Sequence, residues 1–378
     1  MINDIETPKK YRNRPGDKNN EYLSLKKMQG DARAVLWSHR YDVINGQAIV
    51  TRRVAEYQPD ISWIEAVYGS SVVSVIRATV LAWKSLFGGG VRMAYVVCSR
   101  SIGGFLRDLP ILIVAFLGRR VIVHTHGSDL IWLLLESRLR VLARAVYRRC
   151  EVIVPSKHMI EMLHGRCQKV HLCENFFSDR GYSPSSRKSA NEDFHILWNS
   201  NVVATKGFCE LVEAVRLVRA EGNSIKLTVL GQVLGDYETR KAEMQDFLAS
   251  LKDKDWIDIR GSLPPHEAEK LVWECDLVPL PSRYNSECQP LALIQAMCAA
   301  RLVLITETPA LLATIGDYPA FVANDSSVAS VSAALRKATT CNSFSETQLR
   351  KAATIAEMRF STNRFDRQMK EIILGPAG

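Results

Sequence analysis

No stretch of this chain is apolar for long enough to cross a bilayer as a helix. The longest apolar run, from Leu109 to Gly118, ends at Arg119-Arg120 and falls far short of the roughly 20 residues a span requires. It reads as a buried helix, with partial insertion into a membrane as the alternative. The nine cysteines include no Cys-x-x-Cys pair and no Cys/His metal spacing, which argues against a zinc module. Their odd number, and an N-terminus with no apolar core, lead to the expectation of reduced thiols in a cytosolic protein without a secretion signal. No complete Gly-x-Gly-x-x-Gly is present, because Gly231-Gln-Val-Leu-Gly235 lacks its spacing, so a Rossmann dehydrogenase gains little support. Basic and aromatic residues do not interleave, and no nucleic-acid motif occurs, so no nucleic-acid partner is expected.

What is present is ordinary globular material in two unequal electrical halves. The 378 residues are 47% hydrophobic and 24% charged, too many for one compact core and enough for two domains. Residues 1–178 hold 26 Lys+Arg against 15 Asp+Glu, a net of +11, whereas residues 179–378 come to −2. A basic first half implies an anionic surface as its partner, and a membrane face suits it better than nucleic acid.

Short β-branched runs alternate with helical patterns along nearly the whole chain, the signature of α/β domains with parallel sheets. In the first half the runs are Ala34–Ser38, Met93–Cys98, a strand from Val121 that runs into a small-residue loop by Asp129, Glu151–Ser156 and Lys169–Asn175. Helices are expected over 47–57, 72–87 and 130–149. Residues 1–32 are polar and aperiodic, which predicts a mobile arm. Ser183 to Glu192 is rich in Ser, Pro and charge and makes the best boundary, giving a first domain over 33–182, a linker over 183–193 and a second domain over 194–345. A helix over about 347–373 closes the chain.

The most informative segment is Pro281-Ser-Arg-Tyr-Asn-Ser-Glu-Cys-Gln-Pro-Leu-Ala-Leu-Ile-Gln-Ala-Met297. A buried strand, Asp276–Leu280, enters a polar loop holding one carboxylate, Glu287, and Pro290 then opens a helix. Free amides at a helix start favour anionic oxygens. A carboxylate beside them would repel phosphate, so Glu287 should face uncharged hydroxyls. Taken alone, the segment serves equally well as a loop acid before an ordinary helix. Elsewhere, Gly46-Gln47 follows the first strand, His126-Gly127 follows a buried strand, and Lys206-Gly207 precedes a helix. Each has a plain reading as a turn, a structural histidine and a solvated lysine. The Arg-rich face of 130–149 is by default solvated, and Asp253-Lys-Asp255 is a solvated loop.

Glu287 and Gln295, with the loops at Lys206, His126 and Gly46, resemble retaining GT-B glycosyltransferases of family 4. Members usually carry Glu, seven residues, Glu; here Glu287 holds the first place and Gln295 the second. The resemblance runs over about 34–373 and is strongest over 195–306. It implies two Rossmann-like α/β domains facing a cleft. It also implies transfer of a hexosyl or N-acetylhexosaminyl group from a nucleotide sugar to a lipid-linked or saccharide acceptor in cell-surface polysaccharide synthesis.

By the resemblance, Glu287, His126 and Lys206 serve catalysis. Donor binding falls to Asn201, Lys206, Gly231, Arg260, Glu287, Cys288, Gln289, Leu291 and Gln295, and Gly46 and Gln47 form the phosphate or acceptor loop. The resemblance implies no metal and no cofactor beyond the donor, a last helix (346–378) that crosses back to the first domain, and a peripheral place on the cytoplasmic face of the inner membrane. Asn201 stands where most members have Arg, and Cys288 and Ala300 where they have Gly. With Gln295, these departures favour the alternative of a non-catalytic nucleotide-sugar binder or scaffold in an assembly complex.

Overall fold

The computed structural model describes residues 32–41, 46–56, 61–88, 90–177, 193–340 and 344–375. Nearly all of the expected arm, most of the expected linker, and Asn45 lie outside them.

The first domain alternates strand and helix. In chain order it runs β1 (Ala32–His39), α1 (Gly46–Glu56), β2 (Ile61–Tyr68), α2 (Val72–Gly88), β3 (Met93–Val97) and α3 (Ile102–Leu112). A 3-10 turn (Ile113–Leu117), β4 (Arg120–His124), α4 (Asp129–Leu135), α5 (Arg140–Tyr147), β5 (Glu151–Val154), α6 (His158–Leu163) and β6 (Lys169–Leu172) complete it. All described pairings are parallel, in the order β2-β1-β3-β4-β5-β6. A parallel sheet needs cover on both faces, so the central strands β3, β4 and β5 are buried almost throughout, whereas the edge strand β2 alternates. The period of two also shows in which core each residue joins. Val35 and Trp37 face the cluster under α2–α6, while Ala34 and Leu36 face the cluster under α1.

The second domain repeats the plan. It comprises β7 (Phe194–Asn199), a 3-10 turn (Ala204–Lys206), α7 (Phe208–Ala220), β8 (Ile225–Leu230), α8 (Lys241–Ala249), β9 (Ile257–Gly261), α9 (Pro265–Glu274) and β10 (Leu277–Leu280). Then follow α10 (Leu291–Cys298), β11 (Leu302–Thr306), α11 (Pro309–Ile315), β12 (Phe321–Ala323), α12 (Val328–Thr340), α13 (Glu346–Arg359) and α14 (Thr362–Leu374). Its parallel sheet has the order β12-β11-β10-β7-β8-β9. These are the two Rossmann-like sheets that the sequence led us to expect.

Three expected elements are divided. The apolar run at 109–118 does not form one buried helix; α3 ends at Leu112 and the 3-10 turn follows, leaving Ile113, Phe116 and Leu117 exposed. The helix expected over 130–149 breaks at Ser137, whose hydroxyl donates to the Leu133 carbonyl at 2.7 Å while Arg144 Nε donates to that of Leu134 at 2.6 Å. These side chains take up carbonyls that a helix end leaves free. The terminal helix breaks at Phe360-Ser361. There the Phe360 carbonyl accepts from Phe177 N at 2.8 Å, and Ser361 caps α14 by accepting from Arg364 N. α13 stays with the second domain's core, whereas Phe365, Met369, Ile372 and Ile373 of α14 complete the first domain's α1-side core.

Candidate functional site

In open parallel sheets ligands collect outside the carboxyl ends of the strands, where the strand order reverses. In the second domain that point lies between β7 and β10. The loop after β7 carries Ser200, Asn201 and Lys206, and the loop after β10 carries Ser282, Tyr284 and Glu287. The topology therefore brings together two loops about 80 residues apart in sequence.

They meet in an ion pair. Lys206 Nζ lies 2.9 Å from Glu287 Oε1, with the side chains 18% and 10% exposed. The ammonium also donates to Ser200 Oγ at 3.0 Å and sits 6.0 Å from the Tyr284 ring centre. Ser282 Oγ approaches the same Glu287 oxygen at 3.5 Å. Backbone bonds hold both loops in place: Arg283 N donates to Thr205 O at 2.9 Å, Thr205 N to Asp236 Oδ2 at 2.9 Å, and Glu287 N to Tyr284 O at 3.1 Å.

Two glycines are required by this packing. Gly207 has φ +80°, and a Cβ there would stand 2.1 Å from the Pro281 carbonyl oxygen. Gly231, at φ +107°, would press a Cβ to 2.1 Å from the Ser200 carbonyl oxygen. Both are left-handed conformations that Gly adopts without steric cost.

Around the pair, Gln295 Oε1 accepts from Asn199 Nδ2 at 2.9 Å, tying α10 to the end of β7. Asn201 Oδ1 accepts from Gln232 N at 3.3 Å. Pro290 caps α10 from just outside and Leu291 begins it. Gly46, the first residue of α1, lies against Leu291, with its hypothetical Cβ 3.5 Å from Leu291 Cδ1. Gln47 follows it, half-buried.

The first domain's switch point lies between β1 and β3, and the edge beyond β4 carries the histidines. Tyr95 Oη is hydrogen-bonded to His124 Nδ1, and the His124 and His126 ring centres are 4.3 Å apart. Burial drives His124 well below its ordinary pKa; burial, helped by the Arg100 cation, lowers His126 to about 3. Both imidazoles are neutral at physiological pH, and Nε2 of each is buried without a hydrogen-bond partner.

Two expected donor-site residues turn their side chains to the first domain. Cys288 Sγ is 2.9 Å from Met159 Sδ within that domain's core, where burial raises its thiol pKa. Gln289 Oε1 accepts from Asn175 N at 2.6 Å, and its Nε2 donates to Glu174 Oε1 at 3.2 Å. Arg260 is exposed, paired with Asp258 at 2.6 Å, and lines an open pocket with Asp193, His195, Lys226 and Thr228.

Sequence reasoning missed a clasp between the domains. Arg100 Nε donates to Asp129 Oδ2 at 2.7 Å and its Nη2 to Tyr284 Oη at 2.9 Å. Ser286 Oγ donates to the other Asp129 oxygen, and Ser128 Oγ to the Asn285 carbonyl at 2.5 Å. Burial alone would lower the Arg100 pKa, but the Asp129 charge and the Tyr284 contact outweigh it and raise it. The clasp fixes the Glu287 loop against the loop after His126. No spacing in the sequence reveals it.

A cation, a carboxylate and a helix start thus share one crevice, a combination able to hold both an anionic group and neutral hydroxyls. Residues 183–355 match the family model of glycosyl transferases group 1. The amylovoran biosynthesis glycosyltransferase AmsK of Erwinia amylovora is 22% identical over 247 residues, covering 62% of this chain and 57% of that protein. The aligned part thus spans little more than half of that relative's length. Among solved structures, Anabaena HepE in complex with UDP and glucose superposes with a TM-score of 0.70 at 14% identity, covering 90% of this chain and 99% of that one. Sucrose-phosphate synthase from Thermosynechococcus elongatus gives a TM-score of 0.69 at 13% identity, covering 91% and 98%. These likenesses establish the two-domain GT-B fold.

Proposed function

We propose that this chain, whose residues 183–355 match the glycosyl transferases group 1 model, moves a sugar from a nucleotide donor to a lipid-linked or saccharide acceptor in cell-surface polysaccharide synthesis, with retained anomeric configuration. The observation that carries this reading is the Lys206–Glu287 pair at the β7/β10 switch point. The polysaccharide setting is supported by the name of AmsK, and a UDP-sugar is the first donor to try because HepE was solved with UDP and glucose.

In this reading the donor diphosphate draws Lys206 away from Glu287, and the carboxylate turns to hydroxyls of the sugar. Negative charge developing on the leaving diphosphate is met by Lys206 and by the amides opening α10, with Gly46 approaching from the first domain. The leaving phosphate takes the acceptor proton, so no side-chain nucleophile is invoked. His126, neutral and half-buried beside this loop, offers a hydrogen bond rather than a charge. Asn199 and Gln295 hold the ribose side of the site.

A screen of UDP-, GDP- and ADP-sugars by thermal shift and donor hydrolysis tests the reading, with EDTA expected to leave transfer intact. Stabilisation by one nucleotide class together with turnover supports it; no response to any of them overturns it. Binding without hydrolysis or transfer to any acceptor would favour the scaffold alternative, which rests on Gln295, Asn201, Cys288 and Ala300 standing in place of the family's usual residues.

A further inference from the structure

The helix α2 turns its larger apolar side chains outward. Ala78, Ala82 and Leu86 are its buried residues, while Val72, Val73, Ile76, Val80 and Phe87 are between 44% and 74% exposed. At the helical period the two sets lie on opposite sides, so the outer face is a stripe of bulky apolar groups with exposed Arg77 and Lys84 along it. The 3-10 turn extends the stripe with Ile113, Phe116 and Leu117, at 36%, 49% and 56% exposed. Two cation–ring contacts join these parts into one surface: Arg119 lies over Phe87 at 5.0 Å, and Arg149 over Phe116 at 5.3 Å.

The charge around this surface has one sign. Residues 72–149 hold 12 Lys+Arg against three Asp+Glu, and two of those three acids, Asp108 and Asp129, are paired with Arg107 and Arg100. A second copy across a twofold axis would set these cations against themselves. An anionic bilayer offers apolar depth for the stripe and negative headgroups for its border, and long basic side chains reach such headgroups from an apolar face.

We propose that the outer face of α2 and the 3-10 turn dock this chain on an anionic lipid bilayer. Val80, Ile76, Phe87, Phe116 and Leu117 enter the interface, while Arg77, Lys84, Arg119 and Arg149 meet the headgroups. α2 runs from the carboxyl edge of the sheet, beyond Tyr68, to its amino edge, where Phe87 and the 3-10 turn lie, so docking lays one flank of the first domain along the membrane. The docking does not depend on the lipid-linked acceptor proposed above.

The test is cosedimentation of the full chain with vesicles of phosphatidylcholine alone and of phosphatidylcholine with phosphatidylglycerol, at low and high salt. The wild type should bind the mixed vesicles, weaken with salt and remain partly bound. The Ile76→Ser/Phe116→Ser/Leu117→Ser variant should partition at least about tenfold more weakly at either salt. Arg77→Gln/Arg149→Gln should lose mainly the salt-sensitive part. Nucleotide-induced thermal shifts should match wild type in every variant, and Val80→Ser should move binding in the same direction should the triple variant misfold. Failure of the wild type to bind mixed vesicles, or equal binding by the triple variant, would overturn the proposal. So would a dimer in light scattering that the triple variant makes monomeric. A wild type that binds vesicles but no nucleotide would count against the donor reading while leaving the docking face supported.

Discussion

Lys206 is the side chain on which the donor reading turns, since it is the cation paired with Glu287 and no arginine stands at position 201 to share its work. Lys206→Ala should lower affinity for the matching nucleoside diphosphate roughly ten- to hundredfold, as expected for one charged hydrogen bond of about 1.5–3 kcal/mol. The free nucleoside should bind both proteins alike by calorimetry; an unchanged diphosphate affinity would remove Lys206 from the phosphates. Ala300 makes a quieter point. It is the one non-glycine residue with positive φ (55°) among those described, just past the end of α10. The left-handed conformation costs an L-residue roughly 1–2 kcal/mol, and glycine relieves it at some entropic expense. Ala300→Gly should therefore raise stability by about 0.5–1 kcal/mol, read as a higher urea midpoint at unchanged slope. Cys288, the other residue in a customary glycine place, has no positive φ and is fixed by its packing on Met159.

The buried histidines give a pH dependence with a definite sign. His126 falls to about 3 in the folded chain, while an unfolded histidine titrates near 6.5. The unfolded state thus binds the proton first as pH drops. Stability from the neutral ring is complete above about 6.5 and is lost progressively toward about 3. His126→Asn should flatten the fall of the urea midpoint between about pH 6.5 and 4; an identical slope in both proteins would show that the ring is not held neutral.

At the scale of elements, the donor crevice depends on backbone approach more than on side chains. The turn at 204–207 lies against Pro281 so closely that Gly207 admits no Cβ. Gly207→Ala must displace either this turn or the β10 loop, and with it the Lys206–Glu287 spacing. Nucleotide affinity should fall even though no ligand-facing atom is removed, and thermal stability should drop in the same protein. Full affinity with native stability would mean that the two loops are free to part. Most strands and helices were legible in the sequence because both sheet faces are covered, which writes continuous apolar runs; the edge strand β2, whose burial alternates, was not. Nor were the breaks in 130–149 and 347–373. The second is set by a remote partner, Phe177, whose N–H takes the Phe360 carbonyl, and the first by side-chain bonds that an apolar pattern does not register, from Ser137 to the Leu133 carbonyl and from Arg144 to that of Leu134.

At the scale of the molecule, the last helix finishes the first domain. Phe365 is 2% exposed and packs at a tilt against Phe176, ring centres 4.8 Å apart; Arg53 pairs with Asp366, and Arg120 donates to the Ile372 and Ile373 carbonyls at 2.6 and 2.5 Å. Phe365→Ala should cost about 3–5 kcal/mol, the usual range for emptying a buried aromatic site, and should expose the α1 face to hydrogen exchange although α1 lies some 300 residues earlier in the chain. Exchange confined to the second domain would show that α14 does not support the first. Glu174, buried between Arg359 and Gln289, links the same halves a second time.

By itself the sequence determined the class of the protein: parallel α/β domains, a basic first half, and a carboxylate-bearing loop opening a helix. Those properties are written locally, in apolar runs, proline and glycine positions and charge count. Only the tertiary structure decided that Lys206 and Glu287 form a pair, that Cys288 and Gln289 face the opposite domain, that Arg260 lies in an open pocket paired with Asp258, and that Arg100, Asp129, Tyr284 and Ser286 clasp the cleft. It also divided the apolar run at 109–118 between buried Ile111, Leu112 and Val114 and exposed Ile113, Phe116 and Leu117. Strand order puts residues distant in sequence at one switch point, and no periodicity within a segment encodes which distant loop will stand beside it.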